Sequence, residues 1–155
     1  MRGKQAKKRK PQKDPRYNSE LIAKLINYVM QDGKKNLAMK MVYGAIESAA
    51  AETGKKPLEF VDIVFSNLRP SLEVRSRRIG GATYQVPVPV NPARQNTLAI
   101  RWLVGATRKK SGADFQTLLK KEMLMAFNGE GDAVKKRVDV EKMAEANKAF
   151  AHFKW

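Results

Sequence analysis

The side chains in this sequence that are best suited to chemistry are basic, and the chemistry they suit is phosphate binding. Residues 74–113 contain eight lysines and arginines and not one aspartate or glutamate. Guanidinium and ammonium groups bind phosphates through charge-assisted hydrogen bonds, whereas a surface selected only for solubility mixes both signs of charge. The stretch therefore predicts contact with a polyanion, which the net charge of +16 also favours.

A basic β-hairpin arm is predicted over residues 72–90. Gly80 and Gly81 separate two runs rich in Val, Ile, Tyr and Thr, a pattern typical of a two-residue turn with positive φ. Strands of this length extend further than a connecting turn requires. We therefore expect the arm to project into solvent or onto an anionic partner. Its basic residues are Arg75, Arg77 and Arg78.

Two prolines on the second strand test this hairpin. A two-residue turn places Pro87 and Pro89 at non-hydrogen-bonded positions, where the missing N–H would point away from the partner strand. Both prolines are therefore compatible with an edge strand. The predicted pairs are Ile79–Ala82, Arg77–Tyr84, Arg75–Val86, Val74–Pro87 and Leu72–Pro89.

The helix predicted after the arm carries a second row of basic residues. Asn91 is its expected N-cap, and Pro92 suits the first turn. Exposed helix faces usually carry acids that balance the bases at a spacing of four residues, and this helix has none. Residues spaced by seven drift only about 20° around a helix, which aligns Arg94, Arg101 and Arg108, with Lys109 and Lys110 following at the end.

Residues 1–16 are predicted to form a flexible basic tail, because eight lysines and arginines stand there against Asp14 alone. A solubilising tail or a targeting signal would have similar composition. We favour polyanion binding because the chain has a second basic zone. Lys34 and Lys35, at the start of a predicted helix, are further candidates for a phosphate contact. The candidates in the tail are Arg2, Lys4, Lys7, Lys8, Arg9, Lys10 and Arg16.

The sequence as a whole predicts a mainly α fold, a bundle of about six helices with the extended antiparallel arm between the third and fourth. The first helix is expected to be capped by Asn18 and to end at Gly33, and the second to end at Gly54. The third should begin at Pro57 and end before Pro70. The predicted apolar faces include Leu37, Met41, Leu58 and Met143.

Residues 17–155 are expected to form one helical domain that includes the arm. No catalytic site, metal site, cofactor or small-molecule substrate is predicted. The single histidine, His152, lies in an aromatic terminus where a structural role or solvent exposure is expected, and there is no cysteine. No membrane span is predicted, and the absence of cysteine suits a reducing compartment. We therefore expect a cytoplasmic binding protein that is not an enzyme.

Two binding functions fit the residues. One is an RNA-binding structural protein that recognises RNA shape through backbone phosphates. The other is a DNA-bending protein that inserts its arm into the minor groove. The tip lacks a proline wedge, which favours RNA. The aromatic residues that could stack on bases are Tyr17, Tyr84, Trp102 and Trp155, of which Tyr84 is preferred and Trp102 is expected in the core.

Five motifs resemble the bacterial-type small-subunit ribosomal protein S-seven family. They are DPRYNS, MQDGKK, VRSRRIGGATYQVPVPV, LAIRWL and MAEANKAFAHFKW, and they are spread along nearly the whole chain. The sequence departs from the family pattern at Pro89, where an acid is frequent, and over residues 111–129.

The resemblance implies a helical body with an extended β-hairpin. It also implies a primary ribosomal-RNA binder that nucleates head assembly on the 3′ major domain of the small-subunit RNA. The basic tail, Lys34, Lys35, the arm arginines and the basic residues from Arg94 to Lys110 would contact that RNA. Exit-site transfer RNA, messenger RNA and the ninth and eleventh small-subunit proteins would be further partners. The arm tip near the transfer RNA would comprise Arg78, Gly80, Gly81, Thr83 and Tyr84.

Overall fold

The computed structural model describes Gly3 and residues 12–153, which form six α-helices, one 3-10 helix and a two-stranded antiparallel sheet. The fold class is as predicted, with the hairpin between the third and fourth helices. The elements in chain order are α1 Glu20–Val29, α2 Lys35–Thr53, α3 Pro57–Leu68, β1 Leu72–Ile79, β2 Ala82–Pro89, α4 Pro92–Lys109, α5 Phe115–Phe127, α6 Asp132–Ala146 and the 3-10 helix Lys148–Phe153.

The predicted hairpin register is confirmed at every pair. Gly80 and Gly81 form the turn with φ of 57° and 90°, both in the left-handed region that glycine adopts without strain. The backbone N–H of Val90 donates to the carbonyl of Ser71 at 3.0 Å, which closes the base of the arm. The paired residues are Leu72–Pro89, Val74–Pro87, Arg75–Val86, Arg77–Tyr84 and Ile79–Ala82.

Most helix boundaries follow the expected local signals. The Asn91 side chain accepts a hydrogen bond from the N–H of Arg94 and caps α4. Gly54 ends α2 in the left-handed conformation, with φ of 65°. Pro57 lies in the first turn of α3, and Arg69, the residue before Pro70, is already extended.

Two predicted boundaries of α1 were wrong. Ser19, rather than Asn18, caps the helix. Asn18 has φ of 50° and closes a turn in which its own N–H donates to the carbonyl of Asp14. The helix ends at Val29 rather than at Gly33. Gly33, with φ of 72°, belongs to the turn that leads into α2.

The core lies where all six α-helices meet. Its largest buried side chains come from the first five of these helices, and the ring of Phe60 stacks on that of Phe127 at 5.5 Å between centroids. Leu37, Leu58 and Met143 were predicted on apolar faces and are exposed instead. Leu37 and Leu58 lie in the first turns of their helices. Periodicity shows which face of a helix is apolar, but it does not show whether neighbouring elements cover that face as far as the first turn. The fully buried large apolar residues are Ile22, Leu25, Ile26, Ile46, Phe60, Phe65, Leu68, Ile100, Leu103, Leu119 and Met123.

Two further elements hold the base of the arm in place. The Nε of Arg69 donates to the side-chain oxygen of Asn96 on α4 at 2.7 Å. The N–H and the hydroxyl of Ser71 both donate to Glu141 Oε1 on α6, each at 2.9 Å. The arm therefore leaves the body from a base that is bonded to both α4 and α6.

Candidate nucleic-acid interface

Glu73 joins the arm to helix α4. Its Oε1 accepts hydrogen bonds from Arg75 Nε at 2.8 Å and Arg75 Nη2 at 2.6 Å, while its Oε2 accepts one from Arg94 Nε at 3.3 Å. Burial alone would raise the pKa of Glu73, but the hydrogen bonds from the two arginines outweigh it and leave that pKa below its ordinary value. The basic residues of the arm and those of α4 therefore meet at one carboxylate.

The distal part of the arm is exposed and basic. Arg77 and Arg78 are exposed on β1, and the turn residues Gly80 and Gly81, together with Thr83, are exposed beyond them. This part of the hairpin matches the predicted projection.

Tyr84 occupies a different environment from the one expected. It is half-buried, with its ring centroid 5.4 Å from that of Phe150 and 5.0 Å from that of Phe153 in the 3-10 helix. The preferred base-stacking residue thus already packs against aromatic rings of its own chain. The sequence pattern of residues 148–153 gave no sign of this contact, because Tyr84 lies 64 or more residues earlier in the chain.

The three arginines of α4 have different environments. Arg94 bonds to Glu73, and Arg101 is exposed. Arg108 Nη2 donates to the carbonyls of Tyr28 and Val29 at 3.2 and 3.3 Å. Those carbonyls end α1, where a cation is favourable because the helix dipole is negative. Arg108 therefore caps α1 while remaining exposed.

Lys109 and Lys110 differ in the same way. Lys109 is exposed, whereas the Nζ of Lys110 forms an ion pair with Glu122, whose side chain is completely buried. Glu122 Oε1 also accepts the N–H of Ala133 at 2.9 Å, in the first turn of α6. Lys110 thus neutralises a carboxylate in the core, a role that its place in the basic stretch did not suggest.

The end of the predicted tail packs onto the body. Asp14 is buried and accepts hydrogen bonds from the backbone of Arg16 and Tyr17 and from the hydroxyl of Tyr43. Arg16 forms an ion pair with Glu47 at 2.8 Å and lies over the Tyr43 ring. The tail candidates Arg2, Lys4, Lys7, Lys8, Arg9 and Lys10, and the aromatic Trp155, lie outside the residues that the structure describes.

Two other proposed stacking residues, Tyr17 and Trp102, are partly buried against the body. The Tyr17 hydroxyl donates to Glu47 Oε1 at 2.8 Å, and burial, followed by that hydrogen bond, raises the pKa of Tyr17 to about 12. Trp102 is partly buried against the core, as expected.

A cavity of about 470 Å³ between the N-terminal segment and helices α1 and α2 gathers basic residues that sequence reasoning missed. Lys13 and Lys24 line it together with the predicted Lys35. Lys34 lies outside this cavity, with its Nζ 3.9 Å from Asp32. The sequence carries no signal for Lys24, because only the packing of α1 against α2 brings it beside Lys35.

Catalytic and metal-binding groups are not gathered anywhere in the part of the chain that the structure describes. There, no three potential metal ligands among His, Asp and Glu lie together. His152 is exposed, with its ring 4.0 Å from that of Phe153. Within the same residues, no helix has the length and apolar character needed to cross a bilayer.

Comparison with known proteins agrees with this arrangement. Residues 1–148 match the family described as ribosomal protein S7p/S5e. The small ribosomal subunit protein uS7 of Psychromonas ingrahamii is 54% identical over 142 residues, which cover 92% of this chain and 91% of that protein. The uS7 proteins of Corynebacterium aurimucosum and Thermosipho melanesiensis are 53% and 52% identical over 155 residues, the full length of both chains in each case.

These matches extend over the body, the arm and the C-terminal elements. They account for a chain with a large excess of basic residues and with no gathered catalytic groups among those described. The family is generally non-enzymatic, and its members are structural constituents of the small ribosomal subunit in the cytoplasm. This chain belongs to the ribosomal protein S7p/S5e family.

Proposed function

We propose that this protein is a primary ribosomal-RNA binder that nucleates assembly of the head of the small subunit on the 3′ major domain. The observation that carries the proposal is the junction at Glu73, which unites the arm base with α4. Arg75, Arg94 and Arg101 then belong to one basic surface, of the kind that binds an RNA backbone. The role is structural and not enzymatic.

Further phosphate contacts are proposed for the arm and the N-terminus. Arg77 and Arg78 continue the basic surface towards the tip, and Lys109 extends it at the far end of α4. Lys34, Lys35 and the basic residues of the tail, residues 1–16, would add contacts beside α1. Lys110 is left out of this set, because its amine is already paired with Glu122.

The arm tip is proposed to lie near the exit-site transfer RNA and the messenger RNA exit path. Support comes from its exposure and from the small residues Gly80, Gly81 and Thr83, which allow a backbone to approach closely. The ninth and eleventh small-subunit proteins are the proposed protein partners. Tyr84 is assigned to packing within the chain rather than to base stacking.

A DNA-bending function is the alternative. It requires an apolar wedge at the end of the arm, since such proteins kink DNA by inserting one between base steps. The exposed tip consists of Arg78, Gly80, Gly81, Ala82 and Thr83, while Pro87 is buried at the arm base. These features favour RNA.

Footprinting on small-subunit ribosomal RNA tests the proposal. Protection confined to the 3′ major domain is the expected result, and protection elsewhere would contradict it. Competition between that RNA and duplex DNA at one fixed salt concentration separates the two functions, because affinities measured at different salt cannot be compared. Tighter binding of duplex DNA would reverse the choice.

A further inference from the structure

Glu73 is an acid placed inside a surface that otherwise attracts phosphate. Simple electrostatics predicts that a carboxylate beside Arg75 and Arg94 weakens their attraction for a polyanion. The side chain of Glu73 is only 9% exposed, however, while those of Arg75 and Arg94 are 55% and 42% exposed. The carboxylate is therefore largely shielded from a ligand, and the guanidinium groups are not.

The bonding pattern leaves both arginines with donors to spare. A guanidinium has five N–H donors in a rigid planar fork. Arg75 directs Nε and Nη2 towards Glu73, and Arg94 directs Nε alone. The remaining donors belong to side chains that are substantially exposed. Because the two guanidiniums bond to the two oxygens of one carboxylate, they also lie close to each other.

This arrangement fixes two flexible side chains that come from different elements. Arg75 belongs to the arm and Arg94 to the first turn of α4, so neither orients the other without a shared partner. A long side chain that is already held in its binding geometry loses less conformational freedom when it binds. The ordering of Arg75 and Arg94 by Glu73 therefore opposes the loss of attraction for a polyanion that the negative charge of Glu73 causes.

We infer that Glu73 is a positioning residue that sets Arg75 and Arg94 as a paired clamp for an RNA phosphate. The inference rests on the proposed RNA-binding function and adds to it a role for an acid. Its distinctive consequence is the direction in which RNA affinity changes when a negative charge is removed. Removing this negative charge weakens RNA binding, whereas removing a negative charge elsewhere does not.

Glu73→Gln tests the clamp because it preserves the shape of the side chain and removes its charge. Affinity for the 3′ major domain RNA at fixed moderate salt should fall roughly three- to tenfold, the loss expected when charged hydrogen bonds that order a site are weakened. Glu59→Gln is the matched control. Glu59 is exposed on α3 and its side chain makes no hydrogen bond or ion pair within residues 12–153, so its neutralisation should leave affinity unchanged or slightly raised.

A readout without RNA separates positioning from general damage. In the wild-type protein, the side-chain Nε–H signals of Arg75 and Arg94 in a nitrogen-15 NMR spectrum should be slow to exchange with solvent. In Glu73→Gln both should exchange faster while the backbone spectrum of the helices stays unchanged. Unaltered exchange at both arginines would overturn the inference.

Arg75→Lys gives an independent test if Glu73→Gln does not fold. It retains the positive charge on an exposed strand but loses the pair of hydrogen bonds that Nε and Nη2 of Arg75 donate to Glu73. Weaker RNA binding at equal net charge supports the clamp, and wild-type affinity overturns it. Equal or tighter binding by Glu73→Gln also overturns it while leaving the proposed function intact. Failure of the wild-type protein to bind the RNA would instead contradict the proposed function.

Discussion

The ammonium of Lys110, at the end of α4, is paired with the carboxylate of Glu122, which has no exposed surface at all. The same carboxylate accepts the N–H of Ala133 at the start of α6. Helices α4, α5 and α6 are thus joined through one charged side chain. A buried ion pair of this kind adds little compared with an apolar pair, but losing one partner is costly because the other charge stays buried.

Lys110→Ala should therefore destabilise the fold by about 3 kcal/mol. The expected result is a lower midpoint in urea denaturation, with RNA affinity unchanged under conditions where the variant is folded. Lys109→Ala is the control, because it removes an exposed lysine from the adjacent position. Equal stability of the two variants would contradict the structural role of Lys110.

Changing Arg75, Arg77 and Arg78 together to Ala should weaken RNA binding without loss of helical circular dichroism. The logarithmic dependence of affinity on salt should become shallower by about three counterions at most, because each phosphate contact releases roughly one. Replacing Lys40, Lys55 and Lys56 removes the same charge outside the acid-free stretch and provides the control. An unchanged salt slope in the arginine variant would count against phosphate contacts by the arm.

Tyr84→Ala should release the 3-10 helix from the arm. Its ring packs against both Phe150 and Phe153, so its loss should destabilise the protein by about 1–3 kcal/mol, less than a core Tyr would. Hydrogen exchange of the backbone amides in residues 148–153 should accelerate. Tyr84→Phe keeps the ring and should behave like wild type. Faster exchange in Tyr84→Phe would show that the hydroxyl, rather than ring packing, holds the segment.

The contribution of Glu73 to stability should depend on pH in the acid range. Its pKa is lower in the folded protein than its ordinary value of 4.5. In the acid range the folded state therefore binds fewer protons at Glu73 than the unfolded state does. The stabilisation is fully present above 4.5 and is lost as the pH falls through the folded pKa. The difference in unfolding free energy between wild type and Glu73→Gln should therefore shrink between neutral and strongly acidic pH. A difference independent of pH would contradict the assignment.

Much of the fold could be predicted because its signals are local. Gly80 and Gly81 specify a turn, and that turn fixes the register of the entire hairpin. The Asn91 cap and the first-turn Pro57 act within a few residues of their own positions. Ser19 was missed because Asn18 has equal capping ability, and only the turn made by Asp14 decides between them.

The site was harder to predict because its decisive partners are distant in sequence. Lys110 stands 12 residues from Glu122, and the Arg108 guanidinium meets a carbonyl 80 residues away. Counting charges located the basic stretch but treated its members as equivalent. The pairings show that Lys110 neutralises a core acid, Arg108 caps α1, and Arg75 and Arg94 share Glu73. Such distinctions depend on packing, which periodicity and composition do not contain.

The bonds between Ser71 and Glu141, and the rings around Tyr84, have a consequence for synthesis on the ribosome. The chain is made from its N-terminus, so the hairpin emerges well before α6 and the 3-10 helix that brace it. During that interval α4 is the only one of its three supports that has been made, and the arm base bonds to it through Arg69 with Asn96 and Glu73 with Arg94. We therefore expect the arm to reach its final orientation only after α6 and the 3-10 helix have been made.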